Sequence, residues 1–172
     1  LGDVYKRQDQ RGSTALDKYE ETKEGLAELN LQALWSQNAH QLTVGVSGLA
    51  QNMAADRLIV DEVERQRLAI YAQDVWQVGG RGSFLTIVPG ARVDIDSAFG
   101  THATPKVALR YDVLDSTLLR ASYGWGYRAP AFKELFLRFE NPFRPYVVEG
   151  NPELKPETSS NLQVGVESQP YQ

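Results

Sequence analysis

The sequence has no cysteine and only two histidines, His40 and His102, which stand far apart. Without thiols it can form neither disulfides nor thiolate metal sites. Two isolated histidines also give a histidine-based metal or catalytic centre little material. No run reaches about 18 uninterrupted apolar residues, so the sequence predicts no membrane-spanning helix.

Basic charge and enzyme signatures are equally scarce. The chain carries 18 lysines and arginines against 22 acidic residues, a net charge of −4, which lacks the basic excess of nucleic-acid-binding proteins. It has no Gly-x-Ser-x-Gly motif, no Cys–His pair and no phosphate-cradling glycine loop. We therefore expect no nucleic-acid partner and no enzymatic activity, and we assign no catalytic residue.

The two ends of the chain indicate a fragment. Its first eight residues, LGDVYKRQ, resemble a translated adapter sequence, and the chain begins at Leu1 rather than at a methionine. Its last residues follow directly on a strand-like run. We expect residues 1–8 to be non-native or disordered and residues 9–172 to be part of a larger protein.

What the sequence does contain is apolar–polar alternation with a period of two, which is typical of β-strands. In residues 28–35, for example, Leu29, Leu31, Ala33 and Trp35 share one face. The run 68–77 is less regular, because Asp74 shares a face with Leu68, Ile70 and Trp76. It predicts a strand without assigning its faces, and a β-bulge would resolve the conflict. The alternation predicts about seven strands, in the runs 28–35, 41–46, 68–77, 85–94, 106–112, 118–125 and 161–167.

The predicted strands are joined by connections that alternate in length. Short turns fall near 38–40, 78–82 and 114–116, and longer segments at 51–66, 96–104 and 127–160. The mixed-charge stretch 57–67 reads as a solvated loop that runs into a strand. This alternation is typical of an all-β, antiparallel up-and-down meander in a transmembrane β-barrel, with short periplasmic turns and longer outer loops. A soluble antiparallel sheet with one face on a core is the alternative.

Aromatic and basic residues favour the membrane alternative. Trp35, Tyr111 and Trp125 lie near strand ends, where an interfacial girdle needs them. Three arginines fall on the polar faces of their strands. A lipid-facing arginine at mid-bilayer costs roughly 2–4 kcal/mol, so we expect these side chains to point into the lumen, where they are candidate ligand contacts: Arg92, Arg110 and Arg120.

The stretch YGWGYRAPAFKEL (123–135) predicts the end of a strand and the start of a helix. Pro130 cannot donate to a strand ladder but suits the first turn of a helix. Four apolar residues then follow at helical spacing, which predicts a short helix near 130–139: Phe132, Leu135, Phe136 and Phe139. Arg128 is either a ligand-contacting cation or the anchor of the loop base, paired with a carboxylate such as Glu134 or Glu157.

The stretch GNPELKPETS (150–159) offers oxygen ligands in Asn151, Glu153 and Glu157. Its spacing matches no EF-hand loop, and its Asn-Pro and Lys-Pro pairs are turn and extended signals. We read it as a structural loop that returns to the sheet, and we expect neither a metal nor a cofactor.

The stretch from Tyr71 to Glu167 resembles the C-terminal β-barrel of a TonB-dependent outer-membrane receptor. The resemblance lies in YAQDVW (71–76), PGARVD (89–94), PKVALRYD (105–112), LRASYGWGYRAPAFKELF (119–136), GNPELKPETSSN (150–161) and LQVGVE (162–167), in this order. The residues that carry its two most specific motifs are Tyr127, Arg128, Ala129, Pro130, Glu134, Leu135, Gly150, Asn151, Pro152, Leu154, Pro156 and Glu157.

The resemblance implies an active importer of a scarce nutrient, such as a ferric siderophore, haem or cobalamin, in the outer membrane of a Gram-negative bacterium. It also implies a 22-stranded barrel, of which residues 9–172 would be one part. The plug domain, the N-terminal segment that contacts the TonB complex and the final strands would lie outside this chain. The alternatives are a passive outer-membrane channel and, less favoured, a soluble β-sheet binding domain.

Overall fold

A computed structural model describes residues 21–79, 84–114, 116–140 and 145–168. The predicted non-native segment 1–8 lies outside these residues. The chain forms a seven-stranded antiparallel sheet, and the strands of this sheet lie side by side in the order in which they occur along the chain. This order confirms the predicted meander. Its strands, in order across the sheet, are β1 (Thr22–Gln37), β2 (His40–Ala55), β3 (Glu62–Val78), β4 (Leu85–Asp96), β5 (Gly100–Leu114), β6 (Thr117–Arg128) and β9 (Glu157–Ser168).

The connection between β6 and β9 contains a helix and a small hairpin. The helix α1 spans Phe132–Phe136, and the hairpin pairs β7 (Arg138–Glu140) with β8 (Val147–Glu149). This connection lies at the same end of the sheet as the loops 56–61 and 97–99, and we call it the loop end. The opposite end carries the turn 38–39 and the points where β3 leads to β4 and β5 leads to β6, and we call it the turn end. Among the described residues, no helix has the length and apolarity needed to cross a membrane.

The register places apolar residues on one face of the sheet. Leu31 lies opposite Val46, Val46 opposite Ile70 and Ile70 opposite Val93, and all four are on the same side. This apolar face has no covering layer within the described residues, and Val164 on β9 is 77% exposed. Only Met53, Ala69 and Leu135 are buried hydrophobics among these residues. The stabilising apolar contact must therefore come from outside the chain, as it does for a barrel wall in lipid.

Aromatic side chains on the apolar face lie toward its two ends, as predicted. Trp35 and Tyr111 are exposed near the turn end, and Trp125 is exposed near the loop end. The indole N–H of Trp125 donates to the hydroxyl of Tyr123, 2.9 Å away. Amphipathic rings in these positions match the two headgroup levels of a bilayer.

The strands extend further than the alternation predicted, and the loops are correspondingly shorter. The predicted segments 51–66, 96–104 and 127–160 shrink to 56–61, 97–99 and 129–156. The missed parts pair regularly with their neighbours, but polar residues occur on both of their faces, so no alternation marks them. The strands thus continue beyond the apolar band, where water contacts both faces.

The irregular run in β3 contains no bulge, so that prediction was wrong. Its pairing with β2 and β4 keeps one register, and Asp74 lies on the apolar face. There the Asp74 carboxylate contacts Nδ1 of His40 at 2.6 Å, and the His40 ring stacks on Trp76. His40 is therefore not isolated. The described irregularity in the sheet falls between Asp112 and Leu114 instead.

The predicted helix near 130–139 exists but is shorter, at Phe132–Phe136. Leu137 is already extended, and it forms a β-bridge with Leu58 of the loop 56–61. Phe139 consequently lies on β7, beneath the guanidinium of Arg57. Pairing with a distant loop ends the helix where local spacing alone would continue it.

Candidate functional site

A cluster of charged side chains occupies the polar face at the loop end. Arg65 and Arg67 project from β3 toward Asp96, the last residue of β4. Arg67 Nε donates to Asp96 Oδ2 at 3.1 Å, and Arg65 Nε lies 3.9 Å from the same oxygen. The other oxygen of Asp96 accepts the backbone N–H of Ala98 at 2.9 Å. The buried carboxylate of Asp96 therefore accepts hydrogen bonds from Arg67 and from the β4–β5 turn, and it forms an ion pair with Arg65.

A second charged pair, Arg92 and Asp94, lies on β4 beside this cluster. Asp94 is the next residue on the polar face of β4, counted from Asp96 away from the loop end. Arg92 makes a bidentate contact with Asp94, at 2.9 Å for its shortest distance, and also donates to the hydroxyl of Ser47 at 3.1 Å. The two groups together hold three arginines against two aspartates. This leaves a local excess of one positive charge on a chain whose net charge is −4.

Aromatic rings enclose the cluster. The guanidinium of Arg65 lies 5.1 Å from the ring centre of Phe132, and that of Arg67 lies 5.9 Å from the ring centre of Tyr127. Tyr127 in turn stacks on His102 with ring centres 4.1 Å apart. Guanidinium groups over aromatic faces are attracted by the ring quadrupole and gain more when water is excluded. The arrangement combines cations, hydrogen-bond donors and flat apolar surfaces.

All four arginines that the sequence offered as ligand contacts have carboxylate partners. Arg92 pairs with Asp94, Arg110 with Asp112 at 3.0 Å, and Arg120 with Glu167 at 3.0 Å. Arg128 contacts both Glu134 and Glu157, the second at 3.2 Å. Three of them lie on the polar face as predicted, and Arg110 stands directly opposite Arg120. Their own carboxylates offset the repulsion between these two cations.

The two sequence motifs fold onto each other around Arg128. Glu134 accepts the backbone N–H of Ala131 at 2.7 Å, which caps the start of α1, and it also accepts from Arg128. These two contacts, the backbone N–H first, lower the pKa of the Glu134 carboxyl below its ordinary value. Glu157 opens β9 and reaches the same arginine. Arg128 therefore ties the start of the β6–β9 connection to its end.

The second motif closes the far end of the helix. The N–H of Gly150 donates to Leu137 O at 2.6 Å, and the N–H of Asn151 donates to Glu134 O at 2.9 Å. A Cβ at Gly150 would lie 2.7 Å from the backbone carbon of Leu135, so only glycine allows this approach. The side chain of Asn151 accepts the N–H of Glu153 at 2.9 Å, as in an Asx turn.

Pro130, Ala129, Leu135, Pro152, Leu154 and Pro156 complete the same connection. Pro130 O accepts from Arg65 Nη1 at 2.7 Å, and Leu135 is buried. The N–H of Leu154 donates to Asn151 O at 3.2 Å. Within the described part of the chain, no group of three histidine, aspartate or glutamate residues is arranged to hold a metal ion.

The loop 56–61 joins this connection through backbone hydrogen bonds. Ile59 N–H donates to Phe136 O at 2.8 Å, and Arg138 N–H donates to Arg57 O at 2.6 Å. The described residues 56–61, 129–140 and 145–156 thus form one bonded unit, which we call the arch. It starts between β2 and β3 and ends between β6 and β9.

The sequence pattern did not indicate Arg65, Arg67 or Asp96 as site residues. The stretch 57–67 was expected to be a solvated loop that runs into a strand, whereas β3 begins at Glu62 and Arg65 is buried. A usable signal was available, because Arg65 and Arg67 have the parity of Tyr71 on the polar face. Their burial, in contrast, depends on Pro130 and Phe132, which lie far along the chain.

Comparisons with known proteins place this geometry among receptor barrels. The family model described as "TonB dependent receptor-like, beta-barrel" matches residues 3–172. The vitamin B12 transporter BtuB of Vibrio vulnificus is 37% identical over 86 residues, which are 50% of this chain and 13% of that protein. The iron-regulated outer membrane virulence protein of Vibrio cholerae is 24% identical over 131 residues, 74% of this chain and 20% of that protein.

A solved structure shares the fold at low sequence identity. The siderophore receptor PirA of Pseudomonas aeruginosa aligns with a TM-score of 0.67 and 19% identity, over 88% of this chain and 30% of that one. The chain therefore spans less than a third of the length of these relatives.

Proposed function

Because the chain belongs to the family of TonB-dependent receptor β-barrels, we propose that it forms part of the wall of an outer-membrane receptor that imports a scarce nutrient with TonB-coupled energy. The family is one of transport receptors rather than enzymes. The observation that carries the proposal is the pairing of a continuous uncovered apolar face with a polar face that bears the arginine cluster. Lipid contacts the first face and the lumen the second.

The two open edges of the sheet support a larger barrel. Strands β1 and β9 each have a neighbour on one side only within the described residues. Unpaired backbone groups are costly in lipid, so spanning sheets close into barrels. We propose that residues 9–172 are one part of such a barrel, with 22 strands as the resemblance implies. The plug, the segment that contacts the TonB complex and the final strands then belong to the remainder of the receptor.

The loop end faces the outside of the cell in this proposal, because outer-membrane barrels carry their longer loops there. A nutrient that enters the lumen then meets the arch and the polar face below it. The candidate contacts are Arg92, Arg110, Arg120 and Arg128. Since each of them holds a carboxylate, they offer donors and acceptors together rather than free cations.

The names of two similar proteins and the charge of the arginine cluster both bear on the class of the ligand. BtuB, by its name, carries vitamin B12, and PirA is named as a siderophore receptor. We propose a ligand of the siderophore, haem or cobalamin class for this receptor. The excess positive charge near Arg65 and Arg67 favours an acidic ligand such as a ferric siderophore.

The test is nutrient uptake by the full-length receptor in a Gram-negative host that lacks its own outer-membrane receptors. Growth is measured on a ferric siderophore, on haem or on cobalamin as the limiting source, with and without functional TonB. Growth on one source that requires TonB supports the proposal. Growth that is independent of TonB identifies a passive channel instead. Recovery of the full-length protein as a soluble monomer without detergent would identify a soluble binding domain.

A further inference from the structure

The backbone bonds between the two loops have a mechanical consequence. The loops 56–61 and 129–156 leave the sheet at different strands, yet they share a β-bridge between Leu58 and Leu137. The bonds from Ile59 to Phe136 O and from Arg138 to Arg57 O flank this bridge. These two hydrogen bonds form the bridge, and they resist separation in the same way as a short strand pair. A displacement of one loop therefore moves the other.

The arch is held to the polar face by two arginines of different exposure. The Arg128 side chain is 54% exposed, so water and salt screen its contact with Glu134. The Arg65 side chain is 9% exposed. It donates to Pro130 O at 2.7 Å and to Gln51 at 3.1 Å, and the ring of Phe132 lies against it. The hydrogen bond from buried Arg65 to Pro130 O therefore holds the arch more strongly than the exposed contact between Arg128 and Glu134.

We propose that the arch is a single body, and that Arg65 is the positioning residue that fixes it above the polar face. Arg65 does not belong to the arch. Its side chain reaches from β3, which follows the loop 56–61, to Pro130, just after the end of β6. It therefore connects the two places where the arch leaves the sheet. This inference goes beyond the proposed function and does not depend on the identity of the nutrient.

The test measures distances between spin labels in the full-length receptor, reconstituted in lipid. This chain has no cysteine of its own, so labels can be introduced at single sites. Asp61 and Val147 report on the two halves of the arch, and Gln37 at the turn end reports on the wall. In the unsubstituted receptor we expect a narrow Asp61–Val147 distribution and narrow distributions from each of these sites to Gln37.

The substitution Arg65→Gln should broaden both arch-to-wall distributions together and leave the Asp61–Val147 distribution narrow. Arg67→Gln is the matched control, because the described partners of Arg67 are Asp96 and Tyr127, which lie on β4 and β6 outside the arch. It should leave all three distributions unchanged. Insertion of each variant is checked by heat-modifiable gel mobility.

If Arg65→Gln does not insert, Phe132→Ala replaces it, since this change removes the ring against Arg65 without touching the sheet. A broad Asp61–Val147 distribution in the unsubstituted receptor would overturn the single-body inference. Unchanged arch-to-wall distances in the inserted variant would overturn the role of Arg65.

Discussion

A charge placed on the apolar face is the most direct test of how the sheet sits in the membrane. Val46 lies midway along the apolar-face positions of β2, which run from Leu42 to Ala50. Its cross-strand neighbours on that face are Leu31 and Ile70. The substitution Val46→Arg therefore puts a guanidinium among hydrocarbon groups, far from either aromatic row.

The expected loss in free energy of unfolding depends on how deep in the bilayer the new arginine lies. An arginine at mid-bilayer on the lipid face of a barrel costs roughly 2–4 kcal/mol in free energy of unfolding. That range corresponds to a fall of about 30-fold to about 700-fold in the folded-to-unfolded ratio. The assay is urea unfolding of the full-length receptor in phospholipid vesicles, with the folded fraction read from heat-modifiable gel mobility.

The matched control lies three residues earlier on the same strand. Thr43 faces the polar side, between Leu34 and Gln73. An arginine there reaches the lumen, so Thr43→Arg should change the free energy of unfolding by no more than about 0.5 kcal/mol. Equal losses for the two substitutions would refute the assignment of the faces.

Three further predictions concern the arch and the sheet surface. Gly150→Ala should accelerate amide exchange across α1, because its Cβ would meet backbone atoms at 2.7–2.8 Å, whereas Gly48→Ala, with no atom within 4 Å, should not. Gly45→Ala should destabilise the receptor by about 0.5–1.5 kcal/mol in the same urea assay, because its Cβ would lie 2.3 Å from the end of the Tyr71 side chain, which must shift away from its hydrogen bond to Gln32. The pKa of Glu134 is lowered in the folded state, so its stabilisation is present above the ordinary value of 4.5 and is lost as the pH falls through the lower folded value. The protection of the α1 amides, measured as the exchange rate relative to the intrinsic rate at the same pH, should therefore fall in acid, and Glu134→Gln should show this low protection already at neutral pH.

Alternation predicted the faces of the sheet well, because a period of two is a property of the backbone itself. It placed Arg92, Arg110 and Arg120 on the polar face, and the strand register confirms this. It failed at strand ends, where residues such as Asn52 and Glu64 pair across β2 and β3 in a region with polar groups on both faces. There the hydrogen bonds continue after the pattern has stopped.

Asp74 shows a different kind of failure. The alternation grouped its side chain with Leu68 and Ile70 but assigned no face to this run, and a bulge was the suggested resolution. The structure keeps the register and gives one oxygen of the carboxylate a partner in His40, which belongs to the neighbouring strand. No local pattern contains that partner.

The candidate site was the least predictable part. The sequence offered Glu134 and Glu157 as partners of Arg128, and both contact it in the structure. The burial of Arg65 depends on Pro130 and Phe132, which approach it only after the whole meander has formed. Long-range contacts of this kind have no trace in the spacing of nearby residues.

In the proposed barrel, the length of the strands sets how far the wall rises above the membrane. β3 has 17 residues, which at about 3.3 Å each span about 56 Å, or about 40 Å of height at a tilt of about 45°. The hydrocarbon layer is about 30 Å thick, so the excess rises as a stiff, hydrogen-bonded collar. A large molecule that approaches from outside then meets the collar before it meets lipid. The reach of the receptor is built into its wall and does not require longer loops.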